Sequence, residues 1–172
     1  MTKTITHIEV PKEWESEDDY SSHRPMLWLS IKNTTGVIFE FGGGFGSTPV
    51  ISKHCINTTS DNLRVFWSYE TDKEWADKVG SVFIDDYLTI KPSQIGMLFI
   101  DSKPGEQRKD LVELHKDSAD VIILHDTEEG CQNIYGIREV LNSFKYRLNY
   151  YPEGNPGTTA LSNKINVCEW VQ

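Results

Sequence analysis

The chain has 172 residues, 38% hydrophobic and 25% charged, a globular composition with apolar material for one packed core. Collagen-like, coiled-coil and low-complexity classes are excluded by it. A net charge of −9 with a pI near 5.0 lacks the electrostatic footprint of a phosphate-backbone binder and argues against a nucleic-acid partner.

Residues Thr2 to Ser21 are polar, carry the acid cluster Glu15 to Asp19, and read as an N-terminal arm (1–21) with little structure of its own. A domain over 22–172 follows. Ser21 or Ser22 can cap a helix from His23 to about Ile31. From there apolar strands alternate with amphipathic helices. Val37-Ile38-Phe39 is a short apolar run stopping at a glycine cluster, and a helix is expected from Pro49 to about Cys55. A second strand begins at Val65 and ends at Tyr69-Glu70, before a helix from Asp72 to Val79 that Asp72 can cap. Ser81–Ile84 is a third strand and Ile95–Ile100 a fourth, ending at Asp101. Gly105 to about Asp117 is helical, and Val121–Leu124 is a fifth strand ending at His125-Asp126. A helix is predicted from Gln132 to Phe144, with Ile134, Ile137, Val140, Leu141 and Phe144 at 3–4 spacing. Late strands at Tyr146–Tyr151 and Thr158–Val167 flank the turn Pro152 to Gly157.

Continuous apolar strands between helices predict an α/β fold: a Rossmann-like, doubly wound, mostly parallel sheet in a compact single domain, closed by a C-terminal antiparallel hairpin. Ligands of such sheets bind beyond the carboxyl ends of the strands. Here those ends carry Glu40, Glu70, Asp85 or Asp86, Asp101 and His125-Asp126. Carboxylates beside an apolar core are costly without partners, so an acid at nearly every strand end is the first functional sign.

The sharpest motif is the turn from Glu40 through Gly42, Gly43, Gly44 and Gly46 to Ser47-Thr48-Pro49. Glycine permits positive φ and close approach of a ligand, and a turn entering a helix presents N–H groups. The dinucleotide fingerprint G-x-G-x-x-G fails in both registers, at Ser47 and at Pro49, which disfavours an NAD-dependent oxidoreductase. Glu40-x-Gly42-x-Gly44-x-Gly46 instead resembles motif I of the class I S-adenosylmethionine-dependent methyltransferases. Glu70 matches the acid that in this family bonds the ribose hydroxyls. Asp101 stands where the family's fourth motif has its acid, and His125-Asp126 resembles a pair found in small-molecule O-methyltransferases. The extra glycine, Gly43, departs from many members, and the stretch after the third strand is too short for a full family helix.

The resemblance implies S-adenosylmethionine as cofactor, lined by Glu40, the four glycines, Ser47 and Thr48. On the far side it implies Glu70, Thr71, Asp86 and Asp101. The implied activity is methyl transfer to a hydroxyl of a small molecule, with His125 and Asp101 as catalytic groups; a histidine's ordinary pKa of ~6.5 suits a general base. Asp101 and Asp126, with Thr127 or Glu128, are oxygen ligands that would suit Mg²⁺. His23 and Arg24 read as a solvated helix start, or as groups of the arm folded over the cofactor. A second function class is a non-catalytic regulatory or assembly subunit that binds S-adenosylmethionine or S-adenosylhomocysteine. The chain lacks the Asn/Asp-Pro-Pro-aromatic element of base-methylating enzymes, having Asp101-Ser102-Lys103-Pro104 instead. A homodimer would help a small sheet close its site.

The three cysteines, Cys55, Cys131 and Cys168, lie far apart without CxxC spacing, so neither a disulfide framework nor a zinc knuckle is expected. The polar N-terminus and the lack of any apolar run near ~20 residues predict a cytoplasmic protein with no membrane partner.

Overall fold

The computed structural model describes residues 1–16, 19–57 and 64–171. Its strands are β1 (Thr2–Ile5), β2 (Ile38–Phe41), β3 (Phe66–Glu70), β4 (Val82–Phe83), β5 (Ile95–Ile100), β6 (Ala119–His125), β7 (Tyr146–Tyr150) and β8 (Thr158–Ser162). Its helices are α1 (Arg24–Asn33), α2 (Thr48–Asn57), α3 (Lys73–Val79), α4 (Arg108–His115), α5 (Glu129–Ile134) and α6 (Arg138–Asn142). The eight strands form one sheet in the order β1-β7-β8-β6-β5-β2-β3-β4. All neighbours are parallel except β8, which runs antiparallel to both β6 and β7. The sheet is thus the expected Rossmann-like one, with its closing hairpin at β7 and β8.

The period of two along β5 explains why both faces are covered. Met97 and Phe99 enter one cluster with Met26, Leu27 and Ile31 of α1 and Ile51 of α2. Leu98 and Ile100 enter the other with Leu111 and Val112 of α4 and Val140 and Leu141 of α6. Every residue of β5 is buried, as a parallel strand sandwiched between helices must be. On β2, Ile38 points to the first cluster and Phe39 and Phe41 to the second. Glu40 therefore shares the face of Ile38, under the start of α2.

Local chemistry sets several boundaries. Asp72 caps α3, its side chain accepting from Trp75 N at 2.9 Å, and Gly80 ends that helix at φ 77°. The stretch after β4 holds a single 3-10 turn, Tyr87–Thr89, consistent with the reduced helix expected there. A 3-10 turn at Gly105–Gln107 precedes α4, which starts three residues later than predicted.

Four expectations need correction. The N-terminal segment has structure: Thr2–Ile5 pairs in parallel with β7 at the sheet edge, and Ile8 and Trp14 are buried in the first cluster. The acid cluster lies partly outside the described residues, at 17–18. Neither Ser21 nor Ser22 caps α1; the N-cap position is His23, without a side-chain cap bond. The helix expected over Gln132–Phe144 is two short helices separated at Gly136 (φ 63°), which leaves Ile134 67% exposed. Strand β8 stops at Ser162, whose hydroxyl accepts from the N–H groups of Lys164 and Ile165 and turns the chain, so Val167 lies in a later 3-10 turn. No described helix is long and apolar enough to cross a membrane.

Candidate functional site

The glycine turn runs from the end of β2 into α2. Gly42 has φ 91°, and a Cβ there would run into the carbonyl of Asp101. A Cβ at Gly43 would strike the hydroxyl of Ser81, so the extra glycine is required by the packing of a side chain from the neighbouring strand edge. At Gly46 the obstacles are the carbonyl of Tyr20 and the ring of His23. Only Gly44 of the four faces open space, with nothing nearer than Ser47 Oγ at 4.0 Å. The N-terminal segment therefore folds over the turn: Arg24 Nε donates to Gly46 O at 2.8 Å, and Trp75 Nε1 donates to Gly43 O at 2.8 Å from the other side.

Glu40 is fully buried beneath this turn. Its Oε2 accepts from Thr48 Oγ1 at 2.7 Å and from Ser68 Oγ at 2.5 Å, while Oε1 is buried without a partner. Thr48 Oγ1 also accepts from Gly44 N, so one hydroxyl links the acid to the turn. Burial pushes the Glu40 pKa up to about 7, against the pull of the surrounding hydroxyls. Ser47 is buried beside it.

Glu70 ends β3, one strand away. Its Oε1 accepts from the N–H of Thr71 at 2.7 Å, the N–H of Asp72 at 3.1 Å and the hydroxyl of Tyr87 at 3.2 Å. The Thr71 hydroxyl also lies 3.5 Å from this oxygen; all four bonds fall on Oε1, and Oε2 has no protein donor among the described residues. Burial and the nearby carboxylate push the Tyr87 hydroxyl above its ordinary pKa, which keeps it a donor. Asp86 caps the 3-10 turn: its Oδ1 accepts from Leu88 N at 3.0 Å and from Gln107 Nε2 at 3.0 Å.

At the ends of β5 and β6 the organising residue is Arg108, 3% exposed at the start of α4. Its guanidinium donates to Asp101 Oδ1 at 2.8 Å, Asp126 Oδ2 at 2.9 Å, His125 O at 2.9 Å and Ser102 O at 3.1 Å. Tyr135 stacks on it at 4.9 Å. The two acids expected to bind Mg²⁺ thus share a guanidinium, and the partners expected beside them hold the loop: Thr127 Oγ1 lies 2.8 Å from Thr159 Oγ1, and Glu128 accepts from Gly157 N and Cys131 Sγ. Asp126 itself has φ 53°. Arg108 has no motif or spacing that singles it out in the sequence.

His125 is 5% exposed, its Nδ1 3.0 Å from Thr158 Oγ1 and its Nε2 3.5 Å from Asp126 Oδ1. Burial lowers its pKa to about 4, so the ring is neutral at pH 7. His23 is not solvated but 2% exposed, packed on Phe99 and edge-on to His125, both at 4.9 Å between ring centroids. Burial lowers its pKa to about 3. Asp101 is pushed up to about 6 by burial, opposed by Arg108. The structure thus brings Glu40, the glycine turn, Thr48, Glu70, Thr71, Asp86, Asp101 and His125 to the carboxyl side of one sheet, where a parallel α/β sheet takes its ligand.

The Rossmann-like sheet that carries these residues is shared with solved methyltransferase structures. The chain is similar to the METTL16 methyltransferase domain, at 11% identity and a TM-score of 0.57, covering 93% of this chain and 74% of that one. It is similar to an O-methyltransferase from Bacillus cereus in complex with SAH, at 14% identity, TM-score 0.54, 87% and 82% covered. A third likeness is to the 16S rRNA methyltransferase RsmC of T. thermophilus, in complex with AdoMet and guanosine, at 12% identity and TM-score 0.53, covering 88% of this chain but 40% of that one. No family model matches the sequence, and no curated protein does. At these identities the likeness establishes the fold.

Proposed function

We propose that this chain is an S-adenosylmethionine-dependent methyltransferase acting on a hydroxyl of a small molecule. The observation that carries the reading is Glu70: one carboxylate oxygen is anchored by two backbone N–H groups and a tyrosine, and the other is left to accept, beside a glycine turn with open space at Gly44. A carboxylate held this way is preorganised for a pair of ribose hydroxyls. S-adenosylmethionine, when bound, supplies a methyl group activated on a sulfonium. The protein positions the two reactants and handles the acceptor's proton. Thr71 and Asp86 border the nucleoside side, and Glu40 with Thr48 fixes the turn. Asp101 and His125 face the reacting side; His125, neutral at pH 7, holds an acceptor hydroxyl through a ring nitrogen, and Asp101, near pH 6 in its titration, takes its proton. The acidity of the chain favours a small acceptor over RNA.

One observation favours a non-catalytic cofactor-binding subunit as the second reading. His23 and the carbonyl of Tyr20 pack closely against the turn at Gly46, covering part of it with the N-terminal segment. Calorimetric titration with S-adenosylmethionine, S-adenosylhomocysteine and NAD tests the cofactor, with Glu70→Ala as control. Release of S-adenosylhomocysteine across a panel of hydroxylated small molecules then separates the readings. Binding without turnover supports the second, absence of binding to S-adenosylmethionine rejects the first, and absence of binding to either compound rejects both.

A further inference from the structure

Three donors from distant parts of the chain meet beyond the ends of β5 and β6. One ligand atom from each of His23, Asp101 and His125 lies within 4.8 Å of the other two. His23 is buried with neither Nδ1 nor Nε2 bonded to anything. A neutral imidazole carries one donor and one acceptor, so this ring leaves both unsatisfied where water does not reach. His125 Nδ1 is engaged by Thr158, which leaves Nε2 with only a 3.5 Å approach to Asp126. Asp101 is held through Oδ1 by Arg108, which leaves Oδ2.

We propose that His23, Asp101 and His125 bind a divalent transition-metal ion. Two imidazoles and one carboxylate suit Zn²⁺, Co²⁺ or Fe²⁺, whereas Mg²⁺ takes oxygen ligands. Ligand bonds of roughly 2.0–2.2 Å in tetrahedral geometry place two donors about 3.3–3.6 Å apart, so the three donors must draw together by up to about 1.5 Å around the ion. The charged groups acting on the three ligands are Arg108, Arg24 and Lys103 against Asp101, Asp126 and Glu128, so the site carries no excess of positive charge. Partners of the kind that orient metal ligands are in place, Thr158 on His125 and Arg108 on Asp101. The oxygen-ligand site suggested by the sequence is thereby replaced with a mixed one, built partly from the N-terminal segment.

With the ion bound, His125 and Asp101 act through it and not directly on the acceptor; that use, to lower the pKa of an acceptor hydroxyl, rests on the methyltransferase reading, but the ion's binding does not. The test is titration of the full chain with Co²⁺ alone, followed by its ligand-field absorption. One Co²⁺ per chain is expected, displaced by Zn²⁺ and not by Mg²⁺. His23→Ala and His125→Ala are each expected to weaken binding by roughly 100-fold or more, and Thr158→Val by roughly 10–100-fold. Far-UV circular dichroism checks that each variant folds; should the histidine variants unfold, Thr158→Val and His23→Gln carry the test. Glu70→Ala should leave Co²⁺ binding unchanged while weakening S-adenosylmethionine, so the two readings fail separately. No Co²⁺ band, or a band of unchanged affinity in the folded His23 and Thr158 variants, overturns the site.

Discussion

Glu40 is a carboxyl with no access to water and one orphaned oxygen, and it makes a quantitative prediction. Its pKa is about 7 in the folded chain against an ordinary 4.5. A raised acid binds more protons folded than unfolded between those values, so stability is fully present below pH 4.5 and falls as the pH rises to about 7. A difference of this size corresponds to about 3 kcal/mol. Glu40→Gln removes the charge and keeps an oxygen to accept from Thr48 and Ser68. The variant should match the wild type within about 1 kcal/mol at pH 4. At pH 8 it should be the more stable of the two by about 3 kcal/mol. With an m value of ~2 kcal/mol/M, that is a shift of ~1.5 M in the urea midpoint. Urea unfolding at pH steps from 4 to 8, read by fluorescence of the five tryptophans, measures it. The buried histidines titrate in both proteins and cancel in the difference. A difference that stays flat from pH 4 to 8 refutes the assignment of a buried carboxyl with one unsatisfied oxygen.

Glu70→Gln, which replaces the accepting carboxylate with a neutral amide, should weaken S-adenosylmethionine by about 10–100-fold in calorimetry, the range for hydrogen bonds to a charged group; an unchanged Kd removes the ribose role. Arg108→Met strands two carboxylates, Asp101 and Asp126, that are about a quarter exposed, and should cost about 3 kcal/mol in chemical denaturation. Adding Asp126→Asn should recover part of that loss, and a cost under 1 kcal/mol contradicts the bridging geometry. His115 is the last residue of α4, its ring 5.5 Å from that of Phe41, and burial lowers its pKa from 6.5 to about 4. A lowered histidine gives stability that is present above pH 6.5 and lost as the pH falls toward 4. His115→Gln should therefore reduce the acid loss between pH 6.5 and 4 by about 3 kcal/mol, and a variant with the wild-type pH slope rules this out.

The elements legible in the sequence are those whose signals are local. The apolar run Ile95–Ile100 is β5 residue for residue, and Asp72 and Gly80 bracket α3 as a cap and a left-handed stop. The failures involve partners far along the chain. Strand β1 is decided by β7, whose register pairs Thr2 with Arg147, and no polar tetrapeptide announces such an edge. The split of α5 from α6 overrides a good 3–4 apolar spacing, because Gly136 takes a positive φ and Ile134 turns to solvent.

The site shows the same division. An acid at nearly every strand end is a functional sign in the sequence, yet each of these acids has a structural partner. Glu40 takes two hydroxyls, Glu70 two N–H groups and a tyrosine, Asp86 a turn, and Asp101 and Asp126 one arginine. Such partners are what a carboxylate at the margin of an apolar core requires, whatever it does for a ligand. Beyond the buried, unpartnered atoms of Glu40, Ser22, Ser102, His115 and Asn166, three features are left for a ligand: the second oxygen of Glu70, the open space at Gly44, and the two unbonded nitrogens of a buried His23. Polar groups held in place and left unsatisfied are the ones a ligand can reward, so the cofactor reading rests on the first two and the metal reading on the third.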